Sequence, residues 1–413
     1  MRVLLLAPHP FYQERGTPIA VDLLLQALSR RGCEVDVVTF PEGEDRRYPG
    51  VTIHRTRPFP SMRGFRPGFS LKKLYTDAFL ARLARRLARE RKPHVIHAVE
   101  EAAFIARGLC RRLGIPYVYD MDSSLARQLV EKMPWLKPAD GFFRWMEARA
   151  IRDALAVVPV CPALADLARE RGARYVHLLS DISLLPETAT PPPPSAAARF
   201  RFTYIGNLES YQGVDLLLDG FAIAHRSASD IELSIVGGAP VHVERYRARA
   251  AALGLGDAVQ LVGPRPTSNL PALFAEAGAL VSPRIRGDNT PMKIYSYLDS
   301  GRPLLATNLP THTQVLSPDV ALLADPNPDS MAEGLLRLAR DPELCSRLAG
   351  KARALAREKY SRAAFEAAVH RLYDYVDGQI RSRGSSTLQK PEPGQGSGGR
   401  SSSDAAVRGH PQL

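Results

Sequence analysis

The chain has 413 residues, 45% of them apolar, a formal net charge of +12 and four cysteines without CxxC spacing. That length suits two globular domains with appendages, the cysteine scatter suits a reducing cytoplasm without structural zinc, and no apolar run approaches the roughly 18 residues of a membrane span. The positive balance favours anionic partners, phosphate or an acidic membrane surface, while sparse aromatic interleaving and the lack of a known module argue against nucleic acid.

In chain order, Arg2–Ala7 reads as a buried strand rather than a secretory leader. Ile19–Arg31 is an amphipathic helix stopped by Gly32, and strands follow at Glu34–Phe40, Val51–His54, His94–His97, Tyr117–Asp120, Ala154–Val160 and Arg174–Leu178. Such alternation predicts a parallel sheet with helices on both faces and ligands at the carboxyl ends of its strands. The loop Pro8–Pro18 is therefore a candidate site, with Arg15, Gly16 and Thr17 leading into the first helix. His9 and His97 lie at strand ends beside it, although lone histidines are as readily structural. No GxGxxG follows any strand, which argues against a dinucleotide cofactor. Between Ser61 and Lys92 stand ten Arg or Lys against two acids, with Leu71, Leu74, Leu80, Leu83 and Leu87 at helical spacing. Residues 61–92 read as a helix packed on the sheet, or alternatively as a face for an anionic membrane surface.

Pro186–Arg199, with four prolines at 191–194, predicts an extended linker between a unit at 1–185 and a second one at 200–360. The second unit repeats the alternation with strands at Phe200–Ile205, Ile231–Val236, Val259–Val262, Gly278–Ser282 and Pro303–Thr307. Glycine-rich loops leave two of these strands: Gly206–Gly213, carrying Asn207 and Gln212, and the pair Gly237-Gly238. A third loop, PRIRGDNTPMK, is rich in cations. Pro291 suits the first helical position there, Thr290 or Asn289 a cap and Gly301 the exit. Arg284, Arg286 and Lys293 crowd a helix start whose dipole is already positive, and Asp288 offsets only part of that. A bound phosphate would turn this into a site, whereas a solvated basic loop explains the same charges. Helices follow at Ser330–Arg340, Pro342–Lys359 and Arg362–Val376, and residues 381–413, rich in Ser, Gly, Gln and Pro, read as a disordered tail.

The phrases RGTPIAVDLLLQALSRRGCEVDVVTF, YIGNLESYQGVDLLLDGFA, LSIVGG and NTPMKIYSYLDSGRPLLATNLPTHTQVL make residues 1–378 resemble the GT-B glycosyltransferases of the retaining family 4, or group 1, type. The resemblance implies two Rossmann-like, doubly wound α/β domains facing a cleft, with residues 361–378 forming a helix that crosses back to the first. It implies a cytoplasmic, metal-independent hexosyltransferase without a cofactor. The second domain would hold a nucleotide-sugar donor and the first a carbohydrate or lipid-linked acceptor, near Arg15, Gly16, Thr17, His9 and His97.

The chain departs from the family pattern at three places. The usual pair of acids with seven residues between them falls on Asp288 and Ser296, and the usual basic pair on Asn207 and Gln212. A histidine near the reacting sugar falls on Asp122. The resemblance thus points to Asp122 and Asp288 as catalytic. It places donor and phosphate contacts at Gly206, Asn207, Gln212, Gly237, Gly238, Asn289, Thr290 and Ser296, with Arg284 and Lys293 supplying the charge. Asp122 reads equally well as a carboxylate in an Asp-Ser-Ser turn capping the next helix. A sugar-nucleotide epimerase of the same fold and a decayed nucleotide-sugar-binding protein are the other functional classes open.

Overall fold

The computed structural model describes residues 1–57, 71–187 and 199–387. Most of the linker at 186–199, the first part of the basic stretch 61–92 and the tail beyond 387 therefore lie outside the described residues.

The first sheet contains β1 (Arg2–Ala7), β2 (Glu34–Thr39), β3 (Val51–Arg55), β4 (Val95–Val99), β5 (Tyr117–Met121) and β6 (Ala156–Pro159). Its order is β3-β2-β1-β4-β5-β6 and every pairing is parallel. The second contains β7 (Phe200–Ile205), β8 (Ile231–Val236), β9 (Val259–Gly263), β10 (Ala279–Ser282), β11 (Leu304–Thr307) and β12 (Leu322–Ala324). Its order, β12-β11-β10-β7-β8-β9, is the same doubly wound topology, again all parallel. Each sheet thus has a switch point, between β1 and β4 and between β7 and β10, where crossovers leave in opposite directions and a crevice opens.

Continuous apolar runs such as LLLA and ALVS become strands here because both faces of the sheet are covered. In β1, Val3, Leu5 and Ala7 point to one core and Leu4 and Leu6 to the other. The helix Gly16–Arg30 covers the first of these faces, and helices Leu71–Arg91 and Ala102–Leu113 cover the second. Leu80, Ala84, Leu87 and Ala88 are buried against the sheet, while Arg82, Arg85, Arg86 and Arg89 are exposed. The packing reading of this helix holds within the described residues.

Helix Arg362–Thr387 follows two helices of the second half, yet Phe365, Val369, Leu372, Tyr373 and Val376 are buried in the first sheet's core. Its Tyr373 hydroxyl meets His97 Nδ1 at 3.0 Å, and Arg31 reaches Asp374 at 2.6 Å. The helix runs on into the segment whose composition suggested a tail from Arg381, because Ser and Gly weaken a helix without stopping it. Arg174–Leu178 is not a strand but meets the sheet through a single bridge, Val157 to Val176. The short strand β12 has no counterpart in the sequence reading, since three apolar residues show no periodicity. Among the described residues no helix is long and apolar enough to cross a membrane.

Leu372→Ala removes a buried side chain from the first sheet's core and is expected to cost about 2–5 kcal/mol. Urea unfolding reads this as a lower midpoint; an unchanged midpoint would show that the helix adds nothing to that core.

Candidate functional site

The two sheets face one another by the carboxyl ends of their strands. Glu14, after β1, accepts from the Thr267 amide and hydroxyl, both at 3.0 Å. Arg127, after β5, pairs with Asp288, after β10, at 3.0 Å. The Ala163 amide, after β6, donates to Gln314, after β11, at 3.2 Å, and Gln314 donates in turn to the Asp288 carbonyl at 3.0 Å. Loops from both switch points therefore line one cleft.

On the second-half wall, three loops touch backbone to backbone. At Gly237, where φ is +115°, a Cβ would lie 2.1 Å from the Gly206 carbonyl oxygen. At Gly213, with φ +72°, it would lie 1.9 Å from the Pro283 carbonyl oxygen. Only glycine permits such approaches. The close approach that Gly237 and Gly238 suggested for a ligand is made by the chain itself, with Leu208 lying over Gly238. The amides of Gly206 and Gly237 donate to Val236 and Gly263 at 3.0 and 2.8 Å, so they are not free to receive an anion.

What this packing presents is a pair of cations. Lys293 Nζ donates to Gln212 Oε1 at 3.3 Å and sits 3.9 Å from the Tyr204 ring centre. Arg284, 7% exposed, donates to the Arg286 carbonyl at 2.6 Å and to Asn289 Oδ1 at 2.9 Å, beside the Tyr211 ring. Among the described residues no carboxylate pairs with either. Burial, and then the Arg284 charge, push the Lys293 ammonium well below its usual range. Burial also lowers the Arg284 guanidinium. Beneath them His312 is fully buried between Ser282 and Thr307, each at 2.9 Å, and burial pushes it down to about 3. It stays neutral and adds no third charge. Thr307 Oγ1 donates to the Arg284 carbonyl at 2.5 Å and so fixes the start of the loop.

The helix itself begins at Lys293, not Pro291, after a tight turn closed by the Ile294 amide on the Pro291 carbonyl at 2.9 Å. Neither candidate caps it: Asn289 is taken by Arg284, and the buried Thr290 hydroxyl has no partner among the described residues. Gly301, with φ +74°, does end it. Ser296 is buried and accepts the Leu184 amide at 3.0 Å, which ties the helix to the segment before the linker. Asn207 is exposed and bonds Tyr211 at 3.2 Å, bracing its own loop. Asp288, partly exposed, spends its carboxylate on Arg127.

The opposite wall is acidic. Asp122, directly after β5, accepts from the Thr17 hydroxyl, and burial followed by the nearby Asp120 charge pushes it up to about 7. Asp181 is raised well above the carboxylate range by burial, Asp122 and Asp120. Asp120 accepts from His97 Nε2 at 3.3 Å, and His97 stacks on Tyr373. The neighbouring Ser124, not Asp122, caps helix Leu125–Lys132 by accepting the Arg127 amide at 3.4 Å. The capping reading of Asp122 is thereby set aside, and its carboxyl lies instead among the acids of this wall. Thr17 is part of this wall, Arg15 and Gly16 are exposed at its rim, and the His9 carbonyl is pinned to β2 by Thr39 at 2.6 Å. Sequence reasoning missed Asp120, Asp181, Arg127 and His312. Asp181 lies outside any strand or helix, so no periodicity marks it. His312 stands in the short helix Pro310–Thr313, five residues past the end of β11, where no pattern marks it. No group of three His, Cys, Asp or Glu among the described residues is placed to hold a metal ion.

Sequence comparison matches residues 15–179 to the family described as glycosyl transferase 4-like domain and residues 190–355 to glycosyl transferases group 1. An alpha-D-kanosaminyltransferase of Streptomyces kanamyceticus is 26% identical over 280 residues, 64% of this chain and 71% of its own length. The fold is similar to sucrose-phosphate synthase of Thermosynechococcus elongatus, with TM-score 0.75 and 17% identity over 92% of this chain and 99% of that one. It is also similar to Anabaena HepE in complex with UDP, with TM-score 0.71 and 15% identity over 91% of this chain and 100% of that one. A HepE complex with UDP-glucose gives 0.69 and 16% over 91% and 99%.

A carboxyl whose pKa rises on folding holds its proton more tightly in the native state, so ionising it lowers stability as pH climbs from the ordinary 3.8 towards about 7. Asp122→Asn removes that penalty. The variant is expected to melt above the wild type at pH 8 and to lose the advantage at pH 4, measured by calorimetric scans. A pH-independent difference would contradict the acid cluster.

Proposed function

From the premise that the chain is a GT-B glycosyltransferase, we propose that it moves a hexosyl group from a nucleotide-diphosphate sugar to an acceptor hydroxyl, with retention of configuration and without a metal. The observation that carries this reading is the pair of buried Arg284 and half-buried Lys293, whose hydrogen-bond partners are neutral oxygens. A diphosphate is the anion that fits two convergent cations, and charge-assisted contacts to it are stronger than the neutral ones they replace. The UDP and UDP-glucose bound by the structurally similar HepE support a nucleoside diphosphate as the carrier.

In this reaction the bond between the sugar C1 and the donor phosphate breaks, and the acceptor oxygen bonds to C1 on the same face. The acceptor proton passes to the departing phosphate oxygen. Lys293 and Arg284 neutralise the charge growing on the leaving diphosphate, the role a divalent cation plays elsewhere. Asp122, across the cleft, hydrogen-bonds a sugar hydroxyl when protonated and stabilises positive character at C1 when ionised. The acceptor, a carbohydrate or lipid-linked glycan, sits against the loop Pro8–Pro18, where Glu14 and Thr17 already face the cleft. Asp288, engaged by Arg127, holds the two halves together and takes no part in the chemistry.

Lys293→Met keeps the volume and removes the charge. Titration calorimetry is expected to show affinity for nucleoside diphosphate falling roughly ten- to a hundredfold, the loss of one charge-assisted contact. The unliganded variant is expected to melt slightly higher, since repulsion from Arg284 is relieved. Unchanged affinity would place the diphosphate elsewhere. Product analysis of labelled donor with and without acceptor separates the classes: donor turned into an isomer without acceptor would replace transfer by epimerisation.

A further inference from the structure

The chain has two tryptophans, and both are on the surface of one helical hairpin in the first half. Trp135 is 74% exposed, Trp145 48% and Phe142 56%. Helix Asp140–Asp153 presents Phe142, Trp145 and Arg149 at spacings of three and four, one outward stripe, while Glu147, Ala150 and Ile151 face inward. Phe142 and Trp145 stack at 5.9 Å, and the Arg149 guanidinium lies 4.3 Å from the Trp145 ring centre. The stripe is held outward rigidly. Buried Glu147 accepts from Ser124 at 3.1 Å and pairs with Arg171, which locks the helix to the body of the molecule.

We infer that Trp135, Phe142 and Trp145 form an anchor that docks this protein on an anionic lipid surface, with Lys137 and Arg149 at its rim and Arg144 paired there with Asp140. Tryptophan and phenylalanine beside cations are the side chains that settle at a headgroup boundary, where the rings leave water and the cations remain in it. The charge of +12 complements an acidic leaflet. A protein partner fits less well. Complete burial of three aromatic side chains would cover roughly 450–750 Å², below the roughly 800 Å² per partner of a stable interface. A bilayer needs only a few anchors. The hairpin starts beside the cleft, since the helix carrying Arg127 opens it and Arg127 reaches Asp288 across the gap. Docking there would bring the cleft to the lipid.

The two tryptophans make the chain its own probe. With phosphatidylglycerol vesicles, the full-length protein is expected to sediment, and its tryptophan emission to shift to the blue and be quenched by brominated acyl chains. Phosphatidylcholine vesicles are expected to do neither. Phe142→Ser combined with Trp145→Ser is expected to lower partitioning roughly ten- to a hundredfold, as lost apolar burial dictates, with the melting temperature unchanged. Sedimentation without a blue shift would move the docking face elsewhere, for instance to the arginines of helix Leu71–Arg91, and overturn the inference. So would absence of sedimentation. Blue-shifted emission before vesicles are added, with a dimer mass in light scattering, would assign the patch to a second copy instead. No donor sugar enters these measurements, so their outcome is independent of the proposed reaction.

Discussion

Arg284, buried, and Lys293, half-buried, repel each other and are each partly deprived of hydration, and no carboxylate among the described residues pairs with either. Much of the second half is arranged around tolerating that. Arg284 stands at the end of β10, where its guanidinium is gripped by its own loop through Arg286 and Asn289. Lys293 opens the next helix, the end at which the backbone dipole is already unfavourable to a positive charge. The chain answers with neutral groups: Gln212, two tyrosine rings and a histidine kept unprotonated between Ser282 and Thr307. A carboxylate in their place would have stabilised the empty protein and competed with an incoming anion. The glycine contacts at 213 and 237 serve the same end, since they let three loops close around the cations from different strands.

Facing this is a wall of opposite character, where Asp120, Asp122 and Asp181 crowd at the carboxyl edge of the first sheet. The cations thus face carboxyls, two of which burial makes hold their protons more tightly than usual. In the proposed transfer the nucleoside diphosphate leaves toward the cations while positive character develops on the sugar toward the acids. That alignment depends on the two halves meeting, and Arg127–Asp288 and Glu14–Thr267 are the contacts that hold them in register.

The architecture was legible because it is written in periodicity. Continuous apolar strands alternating with amphipathic helices specify parallel sheets, and strand positions were read to within a residue or two. The cation pair was legible for a different reason: Arg284 and Lys293 break a local rule at a helix terminus, and such breaks mark sites. What could not be read depends on distance in sequence. Asp181 joins Asp122 only because the segment leading to the linker folds back over the first sheet, and Arg127 meets Asp288 only across the cleft. Of the two suggested caps, Asn289 was claimed by Arg284, and the Thr290 hydroxyl is buried without a partner among the described residues. Ser296, expected among the donor contacts, accepts the Leu184 amide from a segment more than a hundred residues earlier.

The helix Arg362–Thr387 carries a consequence for how the molecule is made. Its Phe365, Val369, Leu372, Tyr373 and Val376 complete a core whose other members come from the first part of the chain. During synthesis the first sheet therefore emerges with one apolar face covered only in part, by helix Gly16–Arg30, and it stays so while the whole second half is translated. At roughly 5–20 residues per second, that interval lasts on the order of ten seconds or more. The nascent first half has to survive it as an incomplete domain. Its final closure and the tethering of the two halves then occur together, in one late event.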